Sequence, residues 1–352
     1  MTLSGSANRL RGMSSFARAS GQKTEQLITS SLEARRYFQL MGRTTAFVVV
    51  AAVVVGCGYG VAQPKVSGQA QAAGPSAASL GPVTARVTAA GDIACATPES
   101  TKPGCQAADT TALTERLHPA AVLALGDLVY ESGSIDEFTN GYAPTWGRFK
   151  AKTFAVPGNH EYNTDGAAGY RSWWGATALP SGTTWHSKRI GGWLILGLDS
   201  NCGDNGGCGP TSPQGRWLAG QLKASPRCVL AIWHHPRRSS GPHGDNSSTQ
   251  PLWAALSAKH ADLVLNGHDH DYERFQPMNA NANPAKTGLT EVVVGTGGKE
   301  LYPFTHTATG SAKRIQGFAG VLLLSLRQRG WSWAFTTVDG KVRDSGSAAC
   351  QV

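Results

Sequence analysis

At 352 residues with 41% hydrophobic side chains, the chain can form one large domain with a substantial core, or two small ones. Its formal charge of +9 invites an anionic partner, but seven Lys/Arg against two Glu in residues 1–62 account for +5 of it. The remaining +4 suits a small anionic substrate. No dense Lys/Arg run follows residue 62, so a stable nucleic-acid partner is not expected.

Residues 1–62 read as an export signal. Arg35-Arg36-Tyr37-Phe38-Gln39-Leu40 resembles a twin-arginine signal, and the apolar run at 46–55 is too short for an ordinary membrane-spanning helix. Val54-Val55-Gly56-Cys57 is similar to a bacterial lipobox, which would make Cys57 a lipid-bearing first residue anchoring the protein to a membrane. Cleavage after Ala62 and a retained anchor are the alternatives. The mature protein is expected to be exported, either extracellular or in the cell envelope. Residues 63–82 are Gln, Ala, Ser, Gly and Pro without an apolar period and read as a flexible linker. Residues 83–352 read as one folded domain.

Within that domain strand and helix signals alternate. Residues 84–90 are β-like and end in Gly91-Asp92-Ile93-Ala94. A helix pattern at 108–117 precedes a short apolar run at 121–125, which ends in Gly126-Asp127-Leu128-Val129-Tyr130. Residues 153–156 lead into Gly158-Asn159-His160-Glu161, and 193–198 lead to Asp199. A helix at 213–223 precedes a run at 229–233 and then His234-His235-Pro236. A helix at 251–259 precedes a run at 262–265 and then Asn266-Gly267-His268-Asp269-His270. Residues 290–294, 320–326 and 331–337 are late strands, the last two forming a hairpin across 327–330. This alternation argues for an α/β layered fold with functional residues in loops at strand ends. Residues 201–209 and 239–248 are Gly- and Ser-rich loops, and Asp204, Asp245 and Glu273 read as loop charges. The ten Trp, Trp173-Trp174 and Trp331/Trp333 among them, read as packing.

Apart from Cys57 there are six cysteines, an even count that in an exported chain reads as disulfides. The short spacings favour Cys95–Cys105 and Cys202–Cys208, leaving Cys228–Cys350. A Cys metal site is the rival, and it lacks the usual Cys-x-x-Cys pairs.

Five ligand-rich turns in one chain define the chemistry. Taken singly, an Asp after Gly is often a turn or cap, and a Tyr is usually packing. Together they supply Asp92, Asp127, Tyr130, Asn159, His234, His268 and His270, donors suited to iron, zinc or manganese. Asp127 is placed to bridge two cations. His268 and His270 stand two apart, so an extended turn would point both the same way. A phenolate from Tyr130 would favour a hard ion such as Fe(III). Gly295-Thr296-Gly297-Gly298-Lys299 follows a strand but has Glu300 where a nucleotide loop needs Ser or Thr, so it is not read as a triphosphate site.

The motif order resembles that of the calcineurin-like metallophosphoesterases, and the Tyr in the second motif is similar to the purple acid phosphatase branch. The match runs from Val83 to Asp344. The resemblance implies a four-layer αββα sandwich of two mixed β-sheets flanked by helices, and a di-metal catalytic domain. It implies that Asp92, Asp127, Tyr130 and His270 hold one metal, often Fe(III). Asp127, Asn159, His234 and His268 would hold the second, often Zn, Mn or Fe(II). His160 would face substrate, and His243 and His235 are further catalytic candidates, with His235 expected behind the ligands. Ala94 stands where the first motif usually has Gly, which should crowd that turn. The large plant enzymes' amino-terminal β-domain has no counterpart in the motif-bearing span. The expected activity is hydrolysis of a small phosphate monoester by a metal-activated hydroxide. The rivals are a phosphodiesterase on the same scaffold and a catalytically inactive metal-bearing surface protein.

Overall fold

The computed structural model describes residues 75, 77–96, 104–179, 181–224 and 226–351. The export signal, Cys57 and most of the linker lie outside them. No helix among the described residues is long and apolar enough to cross a membrane.

The domain is an α/β sandwich of two mixed β-sheets flanked by helices. One sheet has six strands in the order β13-β12-β11-β1-β2-β3. Its members are β1 (Val83–Ala90), β2 (Ala121–Leu125), β3 (Thr153–Val156), β11 (Gly320–Arg327), β12 (Gly330–Thr337) and β13 (Val342–Ala349). The other has seven, in the order β10-β8-β9-β7-β6-β5-β4. These are β4 (His186–Ile190), β5 (Trp193–Gly197), β6 (Val229–Ile232), β7 (Leu263–Asn266), β8 (Tyr272–Phe275), β9 (Thr290–Val294) and β10 (Ser311–Ile315). The longer helices are α1 (Ala107–Leu117), α2 (Ala168–Ala178), α3 (Pro213–Lys223) and α4 (Gln250–Ser257).

Period-two alternation sorts the core. Ile195, Leu230, Ile232, Leu263, Leu265, Val292 and Val294 join the core that also holds Val87, Ala89 and Leu123 of the first sheet. Their neighbours Leu194, Leu196, Val229, Ala231, Val264 and Val293 join a second core with Leu218 and Leu222 of α3 and Leu252, Trp253 and Leu256 of α4. The central strands are therefore buried on both faces, which is why they read as continuous apolar runs. Trp193 and Trp331 meet edge to face at 5.9 Å between the sheets, as packing residues.

The hairpin of β11 and β12 forms as expected, pairing Arg327 with Gly330. Cys95–Cys105, Cys202–Cys208 and Cys228–Cys350 are bonded. Four details differ from the sequence reading. Ala77–Leu80, at the end of the span read as linker, form a 3-10 turn with Leu80 buried, and the Arg329 N–H donates to the Leu80 carbonyl at 3.1 Å. Glu273 is a buried β8 residue, accepting from the Ser240 N–H at 2.7 Å and its hydroxyl at 2.6 Å, so it is no loop charge. Ala94 bridges Val129 in extended pairing and is not among the residues with positive φ, so this turn does not require glycine. His268 has φ 76, so the turn carrying it is not extended.

Candidate metal centre

The parallel strands β1, β2, β3, β5, β6, β7 and β9 all bring their carboxyl ends toward one rim, where the chain must turn. Asp92 follows β1 and Asp127 follows β2. Their backbones run side by side, with Asp92 N–H donating to the Gly126 carbonyl at 3.1 Å and Ile93 N–H to the Asp127 carbonyl at 2.9 Å. Both aspartates adopt left-handed backbone, with φ 59 and 47, as does His268. Non-glycine residues rarely hold this region, and such strain concentrates at functional sites. Gly126 also has positive φ, and a Cβ there would lie 2.7 Å from His234 Nδ1. A Cβ at Gly158 would collide with the Asp127 carboxylate.

The carboxylates are buried and face one another across Tyr130. The Tyr130 hydroxyl lies 2.9 Å from Asp92 Oδ1, 3.1 Å from Asp127 Oδ2 and 3.1 Å from His270 Nε2. His270 Nε2 is also 3.3 Å from Asp92 Oδ1. On the other side, His234 Nε2 lies 3.2 Å from Asp127 Oδ2 and 3.2 Å from Asn159 Oδ1. Asp127 thus faces both groups of donors.

The imidazoles are oriented from behind. His234 Nδ1 lies 2.9 Å from the Leu125 carbonyl, and His270 Nδ1 lies 2.6 Å from the Glu300 carbonyl. Each carbonyl demands an N–H at Nδ1, which turns each Nε2 inward, the arrangement that metal-ligating histidines use. His270 also stacks on Tyr302 at 4.0 Å. The His268 N–H donates to Asp92 Oδ2 at 2.8 Å, and its ring packs 5.0 Å from that of His234. The His268 ring thus stands beside His234, while His270 Nε2 stands beside Tyr130 and Asp92.

The donor set fits cations. Ligand atoms of Asp92, Asp127 and His234 lie within 4.8 Å of one another, all buried. Two carboxylates enclosed without a Lys or Arg between them leave negative charge that bound metal would offset. Burial opposes charge on His234, yet the carboxylates of Asp127 and Asp92 raise it to about 10. A second cluster of Cys228, Asp262 and Cys350 is not a metal site, because its two sulfurs are joined to each other.

The three further histidines divide. His160 places Nε2 3.9 Å from Asp127 Oδ2, packs its ring 4.3 Å from Tyr130, and holds Nδ1 2.6 Å from the Glu131 carbonyl. His243 sits at the rim, its ring 4.3 Å from that of His268 and its Nδ1 2.9 Å from Asp269 Oδ1. His235 is half-buried with its ring against those of His234 and His268 and its Nδ1 2.8 Å from Ser200 Oγ, and desolvation, then the His234 charge, pushes it down to about 3. That shift favours the neutral imidazole.

Glu161, in the third motif, stands outside the donor set. Its buried carboxylate accepts from the N–H groups of Gly158 at 2.7 Å, Leu128 at 2.8 Å and Asp127 at 3.0 Å, tying two ligand loops together. Burial, then the Asp127 charge, pushes it up to about 8, against the pull of the Gly158 and Leu128 N–H groups. Asp269, between His268 and His270 in sequence, is likewise turned away to hold His243. Acidic residues inside ligand motifs are the signal that marks both.

The calcineurin-like phosphoesterase model matches residues 85–272, more than half of the chain, and the chain belongs to that family. Among solved structures, purple acid phosphatase PPD1 from yellow lupin (Lupinus luteus) seeds superposes with TM-score 0.61 at 19% identity, covering 75% of this chain and 53% of the lupin chain. This chain thus spans about half the length of the lupin protein. A dimetal phosphatase from Danio rerio gives TM-score 0.53 at 14% identity, covering 77% of this chain and 100% of that one. GAP50, the anchor in the inner membrane complex of Plasmodium, gives 0.54 at 14% identity, covering 76% and 89%. At these identities the likeness is one of fold. No curated protein matches the chain. Fold, family and donor cluster together are consistent with dimetal hydrolase chemistry on a phosphoester.

Proposed function

We propose that the protein is an exported phosphomonoesterase of the purple acid phosphatase kind. The observation that carries this is the Tyr130 hydroxyl, within 3.1 Å of Asp92, Asp127 and His270 at once. A packing tyrosine has no reason to aim its oxygen at two buried carboxylates and an imidazole. Asp92, Asp127, Tyr130 and His270 would hold Fe(III), and Asp127, Asn159, His234 and His268 would hold Zn, Mn or Fe(II). The chemistry supplied at such a centre is Lewis acidity and a water activated near neutral pH.

The protein's own contribution is positioning and proton delivery. Hydrolysis forms a phosphorus–oxygen bond to water and breaks the one to the leaving oxygen, which must gain a proton. His160 Nε2 faces the centre while its Nδ1 is held by the Glu131 carbonyl. His243, oriented by Asp269, faces it from the other side. Either imidazole can donate to the departing oxygen or stabilise phosphoryl charge. In this reading residues 1–62 direct export, the stretch from 63 up to the packed turn at Ala77–Leu80 tethers, and 83–352 form the catalytic domain. Either Cys57 carries lipid or the leader is cleaved after Ala62, and three disulfides are in keeping with an oxidising compartment.

The test is metal analysis of purified protein with hydrolysis assays on a simple monoester and a simple diester. Two transition metals per chain and preferred monoester turnover are expected. Preferred diester turnover would make it a phosphodiesterase, and bound metal without turnover a binding protein.

A further inference from the structure

The Gly-rich loop after β9 has no part in the donor set, yet its lysine reaches the rim of the centre. The loop is fastened to the Asp92 strand end, with Gly297 N–H donating to the Gly91 carbonyl and Lys299 N–H to the Asp92 carbonyl, both at 2.9 Å. From there the Lys299 side chain crosses Tyr130, with Nζ 4.7 Å from the ring centroid. Its partner is the Glu131 carboxylate, at 2.5 Å. The two are unequally held: the Lys299 side chain is 16% exposed and that of Glu131 is 71% exposed. The loop carrying Glu131 is fixed by Glu137, which accepts from the N–H groups of Glu131, Ser132 and Ser134. The backbone is therefore set, while the Glu131 carboxylate lies in solvent.

An ion pair with one solvated member is weakly held, so another anion can displace that member. The cation is better placed. It is mostly covered, rests on an aromatic face and stands on the Tyr130 side of the centre, within a side chain's length of the phenol oxygen. A phosphate ester bound at the metal centre that these residues would hold, with its second anionic group toward Tyr130, would bring that group to Lys299.

We propose that Lys299 is a specificity determinant that receives a second anionic group of the substrate, and that Glu131 occupies it in the free protein. The substrate class is then a compact phosphate ester bearing a carboxylate or second phosphate near the ester oxygen. A lysine ammonium, as a point charge, accepts either group. This inference rests on the phosphatase reading and adds the substrate class to it.

The test compares kcat/KM for 3-phosphoglycerate and glycerol 3-phosphate, which share a primary alcohol leaving group and differ in a carboxylate in place of a hydroxymethyl group. The ratio of the two should fall about tenfold in Lys299→Gln, chiefly through KM, and be restored in Lys299→Arg. Glu131→Gln removes the competing anion and should move the ratio the other way. This variant keeps the test open if Lys299→Gln folds poorly. Ratios unchanged in both variants, with both substrates turned over, would overturn the role of Lys299 and leave the phosphatase reading standing. A metal-loaded wild type that hydrolyses neither substrate nor any other phosphate ester would overturn both.

Discussion

The Glu161 carboxylate accepts the backbone N–H of Asp127 at 3.0 Å, so an acid from the third motif fixes the backbone of the residue that faces both groups of donors. The same carboxylate holds the N–H of Gly158 and of Leu128. Replacing Glu161 with Ala leaves several buried N–H groups unpaired, and a loss of about 1–3 kcal/mol is expected for each that water does not reach. Glu161→Ala should lower the melting temperature and the metal content together. Unchanged metal content at wild-type stability would show that the loops hold without it.

Asp127 and His160 should separate metal retention from turnover. Asp127→Asn removes the negative charge that both groups of donors share, so metal and activity should fall together. His160 reaches the centre without joining the donor set, so His160→Ala should retain metal and lose about 10²–10⁴-fold in kcat. The paired measurement is elemental analysis with kcat. A His160→Ala protein that loses its metals, or keeps full turnover on several esters, would remove the role given to His160.

The Tyr130 geometry predicts colour. Fe(III) bound beside the phenol should give a visible charge-transfer band, absent in Tyr130→Phe, whose fold should survive because the ring remains. Absorption spectra of both proteins, each with its metal content measured, decide this. A colourless and fully active wild type holding zinc or manganese would spare the fold and reject Fe(III).

Cys228–Cys350 joins the start of β6 to the end of the chain across 122 residues. Closing so long a loop restricts the unfolded chain, and the double Ser replacement should cost about 3–5 kcal/mol. Urea unfolding of the oxidised wild type against Cys228→Ser/Cys350→Ser measures it.

For export, Lys at both Arg35 and Arg36 should block translocation. Mass spectrometry of the mature amino terminus should find lipid on Cys57 or a start near Gln63. An unprocessed protein with reduced cysteines would end the export proposal.

The central strands were legible in the sequence because burial on both faces leaves an unbroken apolar run, as in Ala121–Leu125 and Val229–Ile232. The ligand motifs were legible because each turn follows such a strand. The edge strands were not. His186–Ile190 and Ser311–Ile315 are largely polar and partly exposed, and their pairing is decided by partners far away in the chain. β8, beginning two residues after His270, was hidden by the motif before it. Glu161 and Asp269 were marked only as acids inside the motifs, and their supporting roles were not. What they hold is backbone or another loop, and neither contact can be read from spacing.

The left-handed backbone at Asp92, Asp127 and His268 bears on how this protein can be improved. Glycine accepts that conformation without steric penalty, so backbone comfort alone favours it at all three positions. A thermostability screen scored only by melting point would be drawn to these replacements, each of which deletes a side chain from the donor cluster. Selection for heat resistance must therefore be coupled to selection for bound metal, or it will yield a robust sandwich with an empty rim.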